Sequence, residues 1–315
     1  MAIALGQSDR TLIYATQEYR AGFVDTESMT LVKEIDLRSL FSESPWVIPT
    51  HASVIGDYGY LFFTQWNSKS PGPAIVKLSL VDQETVAFWQ LPPDSLSYAN
   101  TTDRHLFHGV VASDRPNKGI LTGDPVVNPD VSVIEIDLET GENSRRFLFS
   151  GTGRVQNAMV FDVIGSRLVL GLLSDDEHRY HGFLFDLNEN RLKWLAEWRS
   201  GISLAVDVGN DRVYEADMPS TGIIVFSLTD GSSLPAIPYV WGGYGSRVAV
   251  APGCRLVLTQ NGATNSWLSL MDGRTGGLLT WLTFPSGQSL FDIAITKNGT
   301  AFVGGRNHIT SVALP

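Results

Sequence analysis

The sequence predicts an all-β chain folded as a single β-propeller domain over residues 1–315, with seven blades most consistent with the pattern and six as the alternative. Three observations carry that prediction. Short apolar runs with period-two alternation follow one another along the whole chain, separated by turns rich in Gly, Asp and Asn. A polar residue stands just ahead of such a run, or one step into it, at six places. These are Pro49-Thr50-His51-Ala52, Phe107-His108-Gly109, Gln156-Asn157-Ala158, Ser203-Leu204, Ser246-Arg247-Val248 and Phe291-Asp292-Ile293. They recur after about 43–57 residues, the length of a propeller blade. Finally, no stretch holds the apolar period of a sustained helix; residues 38–41 and 94–96 are single turns at most.

Taken in order, each module has four strands, labelled a to d from the inside out. The b strands are expected at 11–15, 60–64, 119–122, 167–172, 212–215, 255–259 and 300–304. The c strands follow at 21–25, 74–80, 131–138, 182–187, 222–228, 266–271 and 309–314. The d strands follow at 30–37, 85–91, 144–149, 191–198, 234–241 and 278–284. Residues 2–5 are either the inner strand of blade one or the outer strand that completes blade seven.

The a–b and c–d connections are short. Turns such as Glu139-Thr140-Gly141, Asn188-Glu189-Asn190 and Thr229-Asp230-Gly231 supply left-handed backbone and self-bonded bends. Blade three is the exception, with an a–b connection at 113–118. The face carrying these turns is expected to be plain. The b–c and d–a connections on the opposite face are longer, and all six histidines are assigned to them or to their edges. Binding groups are usually carried by long loops on a rigid scaffold.

Composition narrows the function classes. The chain has 315 residues, 43% of them hydrophobic and 18% charged, which is ample core material for a globular domain. A net charge of −10 with no Lys/Arg cluster argues against nucleic acid and anionic membranes as partners. The one cysteine, Cys254, excludes an intrachain disulfide and a cysteine zinc site. No apolar run is long enough to span a membrane. The expectation is a soluble monomer, cytoplasmic by default, with a secretory route open if a leader was removed and with sequons at Asn100 and Asn298.

The candidate site is the mouth of the central channel. His51, His108, Asn157 and Arg247 are the expected catalytic groups, in a ring with Ser203 and the Phe291/Asp292 pair. Gln65, Trp66, Trp46, Gln17, Asp217, Trp241, Tyr244, Gln260 and Phe291 are the expected substrate-binding residues, with Glu215, Asn261, Asp124, Tyr98 and Arg306 nearby. Neutral donors, a few charges and aromatic walls suit a partly apolar small molecule. The plainer alternative is that inner-strand polar groups bond one another and trapped water. Histidine suits proton transfer near neutral pH, whereas no nucleophile motif is visible. His105 with His108, or His178 and His181 with Asp175, Asp176 and Glu177, have spacings compatible with a metal, but solvated loops meet such spacings by accident. No metal and no cofactor are expected.

The rhythm of apolar strand and Asp/Gly turn resembles propellers of the strictosidine-synthase and gluconolactonase/senescence-marker type. It also resembles the fungal natural-product propellers, the hetero-Diels–Alderases and the trichothecene-pathway cyclase. WD-repeat and kelch signatures are absent. The resemblance implies a metal-free enzyme of natural-product biosynthesis that catalyses cyclisation, dehydration or a pericyclic step. Its lactonase members imply calcium instead. Glu18 and Asn157 match two ligands of that set, Asp217 matches poorly, and the second Asn has no counterpart. A non-catalytic scaffold that binds protein through the loop-rich face is the third reading.

Overall fold

The computed structural model describes residues 1–6, 8–41, 47–65, 73–91, 99–101, 104–111, 126–127, 130–150, 154–174, 179–198, 203–216, 222–238, 244–262, 264–285, 288–306 and 308–314. Within these, backbone alone is described at 65, 99–101, 108, 110–111, 126–127, 149–150, 154–159, 161, 172–174, 179–180, 195–198 and 244–246. The described residues group into two compact units. One holds Met1–His178 and Phe185–Arg191, the other Arg179–Leu184 and Leu192–Pro315.

Seven antiparallel sheets follow in chain order. The first is β1 (Ala2–Leu5), β2 (Thr11–Ala15), β3 (Arg20–Asp25) and β4 (Thr30–Asp36); the second is β5 (Val47–Ile55), β6 (Tyr58–Gln65), β7 (Ala74–Ser79) and β8 (Glu84–Gln90). The third runs from β9 (Ala99–Thr101) and β10 (His105–Val111), past β11 (Val126–Val127), to β12 (Asp130–Asp137) and β13 (Asn143–Ser150). The fourth orders β11 beside β14 (Arg154–Ile164), β15 (Arg167–Ser174), β16 (Arg179–Asp186) and β17 (Arg191–Trp198); its strands are divided between the two units. The fifth is β18 (Ser203–Asp207), β19 (Arg212–Ala216), β20 (Ile223–Ser227) and β21 (Ser233–Ile237). The sixth is β22 (Tyr244–Ala251), β23 (Arg255–Asn261), β24 (Ser266–Asp272) and β25 (Leu278–Phe284). The seventh is β26 (Leu290–Ile295), β27 (Thr300–Gly305) and β28 (Ile309–Ala313). Two single 3-10 turns, Arg38–Phe41 and Val208–Asn210, are the only helical turns among the described residues. Residues 94–96 lie outside them.

The middle strands read as unbroken apolar runs because both their faces are covered. On β6, Leu61 and Phe63 face the core shared with sheet one, while Tyr60 and Phe62 face the core shared with sheet three. On β23, Leu256 and Leu258 pack against sheet five and Val257 against sheet seven. Successive side chains point to opposite faces, so one strand feeds two cores. Each fully buried Phe or Leu contributes roughly 1.5–3 kcal/mol.

One turn recurs at the end of the third strand of the first six sheets. An Asp or Ser closes the strand, and its side chain accepts from backbone N–H groups two or three residues on. Ser28 N bonds Asp25, Asp82 N bonds Ser79, and Thr140 N bonds Asp137; Glu189 N bonds Asp186, Asp230 N bonds Ser227, and Thr275 N bonds Asp272. The fifth residue then takes a left-handed conformation, at Met29, Gln83, Gly141, Asn190, Gly231 and Gly276. The N–H donors, with Arg104 beside Asp137, hold the Asp137 carboxyl well below the ordinary range, and Asp272 is lowered by the Thr275 N–H first.

A carbonyl of the same turn ties successive sheets together. Tyr60 Oη and Lys77 Nζ donate to Leu138 O at 3.1 and 3.3 Å, and Arg146 Nη1 to Leu187 O at 3.3 Å. In the second unit Trp194 Nε1 donates to Leu228 O at 2.8 Å, and Arg212 Nη1 and Tyr214 Oη to Gly273 O at 2.5 and 3.1 Å. The polar tips of otherwise buried side chains are thereby satisfied. Burial pushes the Tyr60 hydroxyl up to about 12.

The structure alters the sequence reading of blade three. The strand at 105–111 pairs directly with β12, and β9 lies inside it. It is therefore a second strand running in the opposite sense to an inner one. The expected connection at 113–118 and the expected strand at 119–122 lie outside the described residues. Residues 2–5 pair with β2 as the inner strand of sheet one, and seven sheets replace the six-blade alternative.

Candidate functional site

Each sheet has a turn end, with the short a–b and c–d turns, and a loop end, where the first strand begins. Four first strands share a feature at the loop end. One extra residue bulges out of the pairing at Thr50 on β5, Gln156 on β14, Ser246 on β22 and Phe291 on β26. The residue after each bulge is His51, Asn157, Arg247 or Asp292. Bulges bend a strand and re-aim the side chains beside them. Four of the residues singled out by the repeat in the sequence thus follow the same backbone irregularity.

In the first unit, His51 stands opposite Phe62 and is half-buried. Ser53 Oγ and Thr50 Oγ1 are buried beside it in sequence, with no hydrogen-bond partner among the described residues. Asn157 stands opposite Leu173. Gln65 ends β6 opposite Val47, and Gln17 is exposed between β2 and β3. His108 is corrected: it lies mid-strand on β10, opposite Ala99 and Ile134, so it is not the counterpart of His51 on the next inner strand. His105 is also moved. Its Nε2 lies 3.9 Å from Asp137 Oδ2 and from Glu135 Oε1, at the turn end of sheet three. The apolar phase of 105–111 is read correctly from sequence, but only its pairing shows which way the strand runs.

In the second unit the polar residues lace neighbouring first strands. Val248 N donates to Ser203 Oγ at 3.0 Å. Arg247 Nε donates to Phe291 O at 3.0 Å and lies 3.6 Å from Asp292 Oδ1. Asn261 clasps β26, its Nδ2 donating to Leu290 O while its Oδ1 accepts from Leu290 N, each at 2.9 Å; Ser266 Oγ adds a third bond of 2.9 Å. Glu215 and Gln260 are buried at the loop ends of β19 and β23. Tyr244 opens β22 opposite Asn261, and Phe291 is exposed at its bulge. Part of the expected site therefore does structural bonding, the plainer alternative. Ser203 and Asn261 are spoken for, whereas Arg247 presents a guanidinium oriented by one carbonyl and one carboxylate.

His181 lies near the start of β16. The His308 ring packs over Gly305, where a Cβ would fall 2.1 Å from its Cε1. Trp46, Trp66, Tyr98, Asp124, Asp175, Asp176, Glu177, His178, Asp217 and Trp241 lie outside the described residues. Among the described residues no three His, Cys, Asp or Glu side chains come together as a metal site, and no helix is long and apolar enough to cross a membrane. Glu18 is exposed between β2 and β3.

Two features escaped the sequence reading. Asp162, on β14, follows a second bulge, and burial pushes its carboxyl up to about 6. The turn end of sheets five to seven, expected to be plain, holds a cavity of about 500 Å³. Neither has a local motif in the sequence.

No family model matches the chain. No curated protein matches it either. Among solved structures 1204 chains match. One is BamB from Moraxella catarrhalis, with a TM-score of 0.58 at 12% identity over 98% of this chain and 83% of that one. At that identity the likeness shows the fold alone, and the fold is a seven-bladed all-β propeller.

Proposed function

We propose that the protein is a metal-free enzyme that binds a small, largely apolar natural product at the loop end of its sheets and catalyses a cyclisation, dehydration or pericyclic step. The observation that carries this reading is the bulge set ahead of His51, Asn157, Arg247 and Asp292. Repeated irregularity at one strand position is a cost to the ladder that binding or catalysis would explain. Within the second unit, Arg247 would donate to a substrate oxygen as negative charge develops on it, with Gln260 as a further donor and Phe291 as an apolar wall. Its Nε is already bonded to Phe291 O, which orients the planar head before substrate arrives. The strictosidine-synthase and fungal-cyclase resemblance favours the same class.

The test is turnover. Purified protein is incubated with fractionated secondary-metabolite pools and consumption is followed by mass spectrometry. Arg247→Ala is expected to lower kcat by roughly 10²-fold or more, with Arg247→Lys intermediate and His51→Ala and Asn157→Ala each assayed alone. No turnover of any pool, or turnover indifferent to all these variants, would sink the reading. Activity that a chelator abolishes and calcium restores would favour the lactonase class instead.

A further inference from the structure

We propose that β28, the third strand of sheet seven, is an interface that pairs edge to edge with β28 of a second copy of the chain. Every other sheet has at least four strands, whereas sheet seven has three among the described residues and ends on β28. Third strands elsewhere are covered: all six residues of β7 are buried, and four of the five on β20. On β28 none is buried, and Ser311 and Ala313 are exposed. The open backbone groups of this edge follow from its bonding to β27. Gly305 N donates to His308 O and Leu314 N to Gly299 O, each at 2.8 Å. The register between these two bonds is unbroken, from Gly304 opposite Ile309 to Thr300 opposite Ala313. Bonded and non-bonded pairs alternate along an antiparallel ladder, so Thr310 and Val312 also bond β27. Ile309, Ser311 and Ala313 turn their N–H and C=O groups away from it, toward a side where no strand stands among the described residues.

Symmetry and charge choose the occupant. With a two-fold axis beside Ser311, that residue would exchange both its backbone bonds with Ser311 of the second copy. Ile309 would do the same with Ala313, so every open group meets its complement. Each copy carries a net charge of −10, so the contact itself must be neutral if it is not to add like-charge repulsion. Residues 309–313 contain no charge and no proline. The outer strands β4, β8, β13 and β17 carry charges and β21 carries Pro235, which are ordinary guards against edge pairing. Five paired residues fall short of the roughly 1,200 Å² buried in a stable complex, so the dimer is weak and grows with concentration.

The experiment is analytical ultracentrifugation of the full chain across roughly two decades of concentration. A reversible monomer–dimer equilibrium is expected. Ser311→Pro removes the outward N–H while leaving the bonds to β27 intact. By symmetry it deletes two bonds across the axis, and it should weaken association about tenfold or more. Ser311→Cys should give disulfide-linked dimers on oxidation. The Cα atoms of a bonded pair lie about 5.5 Å apart, within the span of about 4.4–6.8 Å that a disulfide bridges. Thr30→Cys, exposed on the charged strand β4, should not cross-link. Circular dichroism checks that each variant is folded, and the Cys variant decides the matter if the Pro variant is not. A chain that stays monomeric throughout, with its edge open or covered by a segment of the same chain, would overturn the proposal. So would association that survives Ser311→Pro, including association that only Trp281→Lys abolishes, which would assign the contact to β25.

Discussion

Replacing Asp162 by asparagine is expected to stabilise the protein at neutral pH and to remove one component of its pH dependence. The Asp162 carboxyl is pushed up by burial to about 6 from an ordinary 3.8, and its Oδ1 accepts from Val163 N at 2.8 Å. In the unfolded chain the same group loses its proton near 3.9. Between roughly pH 4 and 6 the native state therefore holds more protons than the unfolded state, and stability falls as the pH rises through that window, then levels off. A shift of about two units corresponds to a ceiling of about 3 kcal/mol at 1.36 kcal/mol per unit. The side chain is only partly buried by accessible surface, so solvent screening reduces the expectation to about 1–2 kcal/mol. Asparagine keeps the shape and the acceptor for Val163 N–H without the charge. Urea unfolding of both proteins at pH 4, 5, 6 and 7 measures the difference. The gap should open from near zero at pH 4 to its full value by pH 7, with unchanged slopes in denaturant. Groups lowered by their turns, such as Asp137 and Asp272, act equally in both proteins and cancel. A gap independent of pH, or a wild type more stable at pH 7, would refute the reasoning.

Other outcomes follow from particular contacts. Asn261→Ala removes both bonds to the Leu290 peptide and the acceptor for Ser266, and should cost about 2–4 kcal/mol in denaturant unfolding. Gly141→Ala places a Cβ 2.2 Å from Trp89 Nε1 at a φ of +78° and should cost about 2–4 kcal/mol, whereas Gly56→Ala, at φ +58° with open space around it, should cost only about 1. Among the fourth strands of the sheets, β25 alone has neither a charge nor a proline, and Leu279, Trp281 and Leu282 are exposed on it. Trp281→Lys should therefore reduce concentration-dependent light scattering, since edge charges oppose strand addition.

Much of the architecture was legible in the chain because propeller strands are local. The alternation of β6 and β23, the Asp or Ser that closes the third strand of six sheets and the left-handed residue four positions later are short-range signals. They were sufficient for seven modules and for most strand positions within a residue or two. Blade three is not legible in this way because its first strand, Ala99–Thr101, is three residues long and carries no apolar run. The stronger apolar run at 105–111 reads as the inner strand, and the direction of a strand is not written in its alternation. His105 and His108 were misplaced for that one reason.

The repeat alone pointed to His51, Asn157, Arg247 and Asp292, because a polar residue ahead of an apolar run is visible without coordinates. Only the tertiary structure decided what surrounds them. The bulge before each is a difference in register between two strands, which neither strand encodes by itself. Ser203 and Asn261 turned out to bond neighbouring sheets, because their partners are backbone groups about 30–45 residues away. Strand identity is local physics and was determined by the sequence; strand direction, bulge and cavity are relations between distant segments, which only folding brings into contact.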